Sequence, residues 1–284
     1  MQQADAGADW ETQIKNRISA NKVLLRQAEA SDEPLMRNSI EPLKISIAKD
    51  EYALAHHFGQ EYTDSVWNRV VQLNTLINPN MGGIIALFVI ITLSALVAGE
   101  FTEGTIKMLI PRPFSRSELL TSKFISALLY AIVLFVETLV IGFLLMGAFF
   151  GFKGLSATSL IWTGQKVVEI PAVLYVFMIY GLDFLQVVVY MAFALLIAVL
   201  SRSRALSTGV SIVLLVIGSA LLQLLATYVD WGKYIVFAVT DLAMFLTYGP
   251  LYAGAPLGFA LIVCAIYTAV FLFFSYFTFR KRDI

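Results

Sequence analysis

Of the 284 residues, 58% are hydrophobic and 14% charged, and the mean hydropathy is +0.77; a soluble domain is roughly half apolar and a quarter charged, so the composition is that of a membrane protein. Twenty Lys and Arg balance twenty Asp and Glu, which excludes a strongly basic nucleic-acid binder. The single cysteine, Cys264, excludes an intrachain disulfide framework and a cysteine-based zinc cluster.

Residues 1–80 are polar and carry no basic start followed by a short apolar run, the pattern of a signal peptide. Residues 10–58 read as two helices separated by the turn signal Glu29 to Pro34, with Asp32 as N-cap and Pro34 in the first helical turn. Ile40, Leu43, Ile47 and Leu54 form one apolar stripe that Asp50 breaks. The expected unit is a helical hairpin packed on itself or on the outer ends of the spans, with a ligand-receiving cap as the alternative. His56 and His57 are adjacent, so on a helix they diverge by about 100° and cannot chelate one metal as an i, i+4 pair would.

A helix needs about 20 apolar residues to cross a bilayer, and five stretches qualify: 81–98, 124–149, 173–200, 206–227 and 257–279. Between the first two the chain reads GEFTEGTIKMLIPRPFSRSELLTSK, Gly99 to Lys123. Glu103 and Lys107 stand at i, i+4 in the favourable order, and Phe101, Ile106, Leu109 and Ile110 supply apolar contacts for a short surface helix. Pro111 and Pro113 stop that helix. Ser115 and Glu118 form an S-x-x-E capping box that restarts the chain as the next span. A charged loop that merely anchors two spans accounts for the same residues.

Glu137 lies near the middle of the second span, where a carboxylate costs roughly 2.5–3.5 kcal/mol on insertion scales. It is expected to face protein or water and to take hydrogen bonds from Tyr, Ser or backbone, with a packing role or a transport role. In the third stretch Gly181 and Asp183 suggest a break, with an interfacial helix before a span from Phe184 to Leu200 and Asp183 as its interfacial cap. Gln223 is expected to be satisfied by a hydrogen bond between helices. The apolar run Tyr234 to Leu246 is about 13 residues, too short to span, so interfacial or re-entrant helices are expected. Trp231, Tyr248 and Tyr252 fit an aromatic belt, and Asp230 with Asp241 could line an outer gate.

Lys107, Arg112, Arg116, Lys123, Arg202, Arg204, Arg280, Lys281 and Arg282 give nine basic residues on one side, against Lys153, Lys166 and Lys233 on the other. The positive-inside rule then makes the C-terminus cytoplasmic. Five spans put residues 1–80 outside with nothing ahead to carry them across, so a first span upstream of Met1, or late translocation of the tail, is implied.

The run ALVAGEFTEGTIKMLIPRPFSRSELLTSKF resembles the signature of permease subunits of ABC transporters in the type-two exporter group, where a span ends in a Glu-Phe-x-x-Gly-Thr-Ile-Lys stretch followed by a Pro-x-Ser-Arg turn. The outward segment containing DEYALAHHFG and the tight turn LSRSRALSTG, Leu200 to Gly209, agree with it. The resemblance implies six spans, the first absent here, and a coupling helix docking on a separate ATPase subunit. Carried across, Glu100, Phe101, Glu103, Gly104, Thr105, Ile106 and Lys107 would make that contact. It also implies a second permease subunit, identical or a paralogue, to enclose the pathway.

The chain has no G-x-x-x-x-G-K-[ST] phosphate cradle, so ATP and Mg would be held by the partner and no cofactor by this chain. The expectation is therefore an all-α polytopic bundle in the bacterial cytoplasmic membrane, in contact with lipid but not nucleic acid. Residues 1–80 form its extracytoplasmic helical segment and residues 81–284 its permease domain. The rival functions are an ion-coupled transporter using Glu137 and Asp183 as pathway residues, and a membrane-embedded enzyme. The last has little behind it: no H-E-x-x-H occurs and both histidines lie in the polar segment. No residue selects the substrate.

Overall fold

The computed structural model describes residues 2–58, 65–77, 81–102, 115–250, 252 and 254–281. Chain order is α1 (Gln2–Ala30), α2 (Pro34–Ala55), α3 (Val66–Ile77), α4 (Met81–Thr102), α5 (Arg116–Phe150), β1 (Thr158–Trp162), β2 (Val167–Pro171), α6 (Ala172–Ser201), α7 (Arg204–Val213), a π-helical turn (Leu214–Gly218), α8 (Ser219–Tyr228), α9 (Leu242–Thr247) and α10 (Leu257–Lys281). Five of these segments are long and apolar enough to cross a membrane: α4, α5, α6, the α7–π–α8 unit and α10. The protein is an all-α polytopic membrane bundle, with one small antiparallel hairpin, β1–β2, in the connection before α6.

Helix α6 is the axis of the bundle. It packs against α4, α10 and α7 most extensively and also touches α5 and α9. Small residues let the backbones approach: Ala192, Ala194 and Ala198 are fully buried. At one three-helix junction the Ser207 hydroxyl of α7 donates to the Ala194 carbonyl of α6 at 3.2 Å and lies 2.9 Å from the Ser94 hydroxyl of α4. The expected break at Gly181 does not occur. α6 is continuous from Ala172, because Gly181 has open space around it and nothing there interrupts the helical hydrogen bonds. Asp183 is therefore no interfacial cap but a buried residue, 4% exposed.

Helix α5 is built differently. Its buried residues Leu120, Ala127, Ala131 and Phe135 repeat at four- and seven-residue steps and form one narrow stripe. The rest of its circumference is exposed apolar surface, including Leu129, Val133, Val136 and Val140. Thr121 ties it to Tyr276 of α10 through hydroxyls 2.8 Å apart. At its far end Phe152 folds back on Gly147, where a Cβ would meet the ring at 2.0 Å, so a larger residue there would push the ring aside.

The hairpin α1–α2 forms around Ile14, Ile18, Ile47 and Ala53, with Trp10 and Leu54 packed against them. Asp50 does not break this seam. It is buried in it, and Arg17 donates to both carboxylate oxygens at 2.7 and 2.5 Å, so the guanidinium supplies the counter-charge that burial demands. Asp32 is not the N-cap either. Pro34 takes the first helical position, which makes Glu33 the cap residue, and Asp32 pairs with Arg37 at 2.8 Å. The hairpin packs on one end of the bundle. Lys49 donates to the Thr247 carbonyl at 3.2 Å and burial lowers its pKa; Tyr52 donates to Glu169 of β2 at 3.1 Å. His56 stacks on Tyr52, ring centroids 4.0 Å apart, and His57 faces Glu11 at 3.8 Å.

The stretch between α8 and α10 folds into the bundle. Val236, Phe237, Ala238, Val239, Thr240 and Asp241 are all buried. Phe237 stacks among Tyr190, Phe193 and Phe271, with centroids 5.4, 5.2 and 6.3 Å away. Short 3-10 turns at Asp230–Tyr234 and Val236–Ala238 carry the chain inward, as expected for a segment too short to span. Trp231 and Tyr248 are exposed, but Tyr252 is buried and donates to the Ala238 carbonyl at 2.9 Å. It is a clamp on this segment rather than part of a belt.

Candidate functional site

Two places carry the residues singled out by sequence. The first is the connection from α4 to α5. Its N-cap is as expected: the Ser115 hydroxyl accepts from the Glu118 amide at 3.3 Å, and the Glu118 carboxylate accepts from the Ser115 amide at 2.8 Å. Near the other end, Glu100 forms an ion pair with Lys123 of α5, and Lys123 also donates to the Leu96 carbonyl. This clamp fixes the end of α4 against the start of α5. Glu100 is thus engaged within the chain, with 26% of its side chain exposed. Phe101 lies in the last turn of α4, whereas Glu103, Gly104, Thr105, Ile106 and Lys107 lie outside the described residues.

The second place is inside the bundle. Asp183, Gln186 and Tyr190 stand at i, i+3 and i+7 on α6 and so share one face; they are 4%, 1% and 1% exposed. Gly82 of α4 makes room for them, since a Cβ there would lie 2.8 Å from Gln186 Oε1 and 3.2 Å from Asp183 Cβ. Beside them is a cavity of about 260 Å³ walled by α4 (Gly83, Ile84, Leu87), α6 (Gln186, Tyr190), the π turn (Leu215, Val216), α8 (Ser219, Gln223) and Thr240. The π turn widens the helix by one residue and puts Leu215 and Val216 into this wall; such turns recur at functional sites.

The hydroxyls of the cavity already have partners. Tyr190 and Thr240 are 3.3 Å apart, Thr240 reaches the Phe237 carbonyl at 3.5 Å, and Ser219 donates to the Leu215 carbonyl at 2.6 Å. Gln186 Oε1 is buried without a hydrogen bond. The Asp183 carboxylate takes no hydrogen bond among the described residues, and the charge of Asp241 acts on it. Gln223, expected to be satisfied between helices, has its side chain in the cavity wall while its carbonyl accepts from Tyr252 at 3.4 Å.

Glu137 is not part of this site. It lies on the exposed side of α5 beside Val136 and Val140, without the Tyr, Ser or backbone partner expected for it among the described residues, because the narrow buried stripe of α5 passes through Ala131 and Phe135 instead. Asp230 is exposed while Asp241 is buried, so the two do not line a common gate. Gln186, Tyr190, Ser219 and Thr240 escaped the sequence reading. The three-and-seven spacing from Asp183 was the available signal for the first two, but nothing local signals the π turn or the return of Thr240 into the bundle.

A bundle of five membrane-length helices with a polar interior pocket defines a polytopic integral membrane protein. Residues 39–284 match the family described as "Protein of unknown function (DUF2705)", and the chain belongs to it. It is 32% identical over 273 residues to the uncharacterized protein YhcI of Bacillus subtilis (strain 168), covering 95% of this chain and 84% of that one. It is also 26% identical over 208 residues to the uncharacterized membrane protein YdbK of the same strain, covering 72% of this chain and 80% of that one.

Proposed function

We propose that this chain is the membrane-spanning subunit of an ATP-driven exporter, a non-catalytic permease of the ABC type-two group that moves an amphipathic or hydrophobic substrate outward. The observation that carries this reading is the Gly99–Lys123 connection, whose motif resembles that group's coupling segment and whose two ends are held rigidly by the Glu100–Lys123 pair and the Ser115 capping box. A connection anchored at both ends to two spans can pass a partner's motion into them, because a partner shifts a conformational equilibrium only through contacts that differ between the states. Glu103 and Lys107 would be the exposed charges read by a separate ATPase subunit, which would hold ATP and Mg. A second permease subunit would complete the pathway in the bacterial cytoplasmic membrane, with the C-terminus cytoplasmic and residues 1–80 extracytoplasmic.

The second reading, ion-coupled transport without an ATPase, would use Asp183, which is buried, and Glu137, which lies on the exposed side of α5. An affinity pull-down in mild detergent separates the two. Under the exporter reading a soluble ATPase copurifies with the wild type and is lost from the still-folded Glu103→Arg, Lys107→Glu double variant. Absence of any ATPase from a monodisperse wild-type preparation rejects that reading.

A further inference from the structure

We infer that the cavity between the α1–α2 hairpin and the end of the bundle binds a singly charged carboxylate carried on an apolar body, with Lys49 as the group that receives it. The site does not depend on how transport is driven. Its volume is about 400 Å³, within the range of small-molecule sites. Arg17 of α1, Lys49 and Asp50 of α2 and Thr247 of α9 bring its charged and hydrogen-bonding groups together.

The lysines of the hairpin set the choice of ligand. Lys15, Lys22 and Lys44 are exposed, and each lies beside a glutamate, at 3.2, 2.7 and 3.6 Å. Exposed pairs of this kind contribute little. Lys49 is partly buried, where a counter-charge is worth more, yet it meets no carboxylate within ion-pair distance among the described residues. Its one hydrogen bond among them goes to the Thr247 carbonyl at 3.2 Å, which leaves two of the three ammonium N–H groups. Burial holds its pKa below the ordinary lysine value, because a desolvated ammonium is disfavoured, and an adjacent anion acts in the opposite direction. Asp50, the carboxylate in the wall, is already committed to Arg17, whose Nε and Nη2 donate to it at 2.7 and 2.5 Å.

Charge then selects among ligands. Arg17, Lys49 and Asp50 leave the wall one positive charge in excess. An ammonium would meet Lys49 with no uncommitted carboxylate to offset it, and an alcohol would leave that charge in place. A phosphate monoester, close to doubly charged at neutral pH, would overshoot it beside Asp50. A carboxylate matches the excess and accepts charge-assisted hydrogen bonds from the ammonium. The rest of the wall suits an apolar body: Trp10, Ile14, Phe58 and Leu160 belong to one apolar cluster of the hairpin, and Tyr175 of α6 lies on the bundle side. Gln13 and Arg17 are exposed, so the cavity opens beside α1.

The test is equilibrium dialysis of the full chain in dodecyl maltoside at neutral pH against 3-phenylpropionate, 3-phenylpropanol, 3-phenylpropylammonium and 2-phenylethyl phosphate, corrected with protein-free micelles. The acid is expected to bind about tenfold more tightly than the alcohol, the scale of a hydrogen bond to a charged group, with the ammonium and the phosphate both weaker than the acid. Equal binding of acid and alcohol by the wild type, or tighter binding of the ammonium or the phosphate, overturns the inference, and this comparison needs no variant. Lys49→Met keeps an unbranched side chain and removes the charge, so it is expected to bring the acid and the alcohol together. An acid preference that survives Lys49→Met overturns the inference, since the anion would then sit elsewhere. Should Lys49→Met fail to fold, Lys49→Gln serves the same comparison. Because no ATPase is present in the dialysis, failure here leaves ATPase copurification intact, and failure of copurification leaves carboxylate binding intact.

Discussion

Helices α5 and α6 are both long and similarly apolar, and each carries a carboxylate near its middle, yet 56% of the most apolar window of α6 is buried inside the chain and only 17% of that of α5. Their acids share the contrast: Asp183 is enclosed and Glu137 lies on the outer face. Hydropathy reports that a helix leaves water, but lipid and protein interior are alike to it. What separates the two helices is side-chain size. α6 carries buried alanines and polar groups that allow close approach and need partners, while along the apolar middle of α5 the buried stripe is narrow and large aliphatic side chains face outward.

This comparison can be broken by measured stability. The largest effect belongs to Leu195→Ala in α6, which removes a fully buried side chain and should lower the unfolding free energy by about 2–5 kcal/mol in reversible detergent denaturation. Gly82→Val places a branched side chain against Gln186 and Asp183 and should cost about 1–3 kcal/mol; an unchanged denaturation midpoint would mean that α4 and α6 are not packed as described. Ser115→Ala removes the cap of α5 and should cost about 1 kcal/mol, visible as faster amide exchange in the first turn of that helix. Glu137→Gln, on the outer face, should stay within about 0.5 kcal/mol in the purified single chain. A larger loss in the membrane than in detergent would show that another chain covers this face of α5.

Much of the fold was legible because the bilayer imposes a simple rule. The five spans, the Ser115 capping box and the helical hairpin follow from length, periodicity and local hydrogen bonding. The strands of the β1–β2 hairpin and the π turn were not legible. The first is a short polar–apolar alternation without a strong turn dipeptide, and the second depends on what packs beside the helix. The break assigned at Gly181 failed because glycine permits a bend without requiring one, and the helical hydrogen bonds of α6 run through it uninterrupted.

The sequence by itself determined that the chain is a membrane bundle, roughly where its five spans lie and which connection carries the dense charged motif, because these depend on residues close together along the chain. Tertiary structure alone decided that Asp50 is paired with Arg17 while Asp183 is buried in the bundle, that Glu137 faces outward, and that Gln186 meets Tyr190, Ser219 and Thr240 around one cavity. Those outcomes depend on which helix faces are brought together across long separations, and a carboxylate acquires its energetic meaning only from the groups that end up around it.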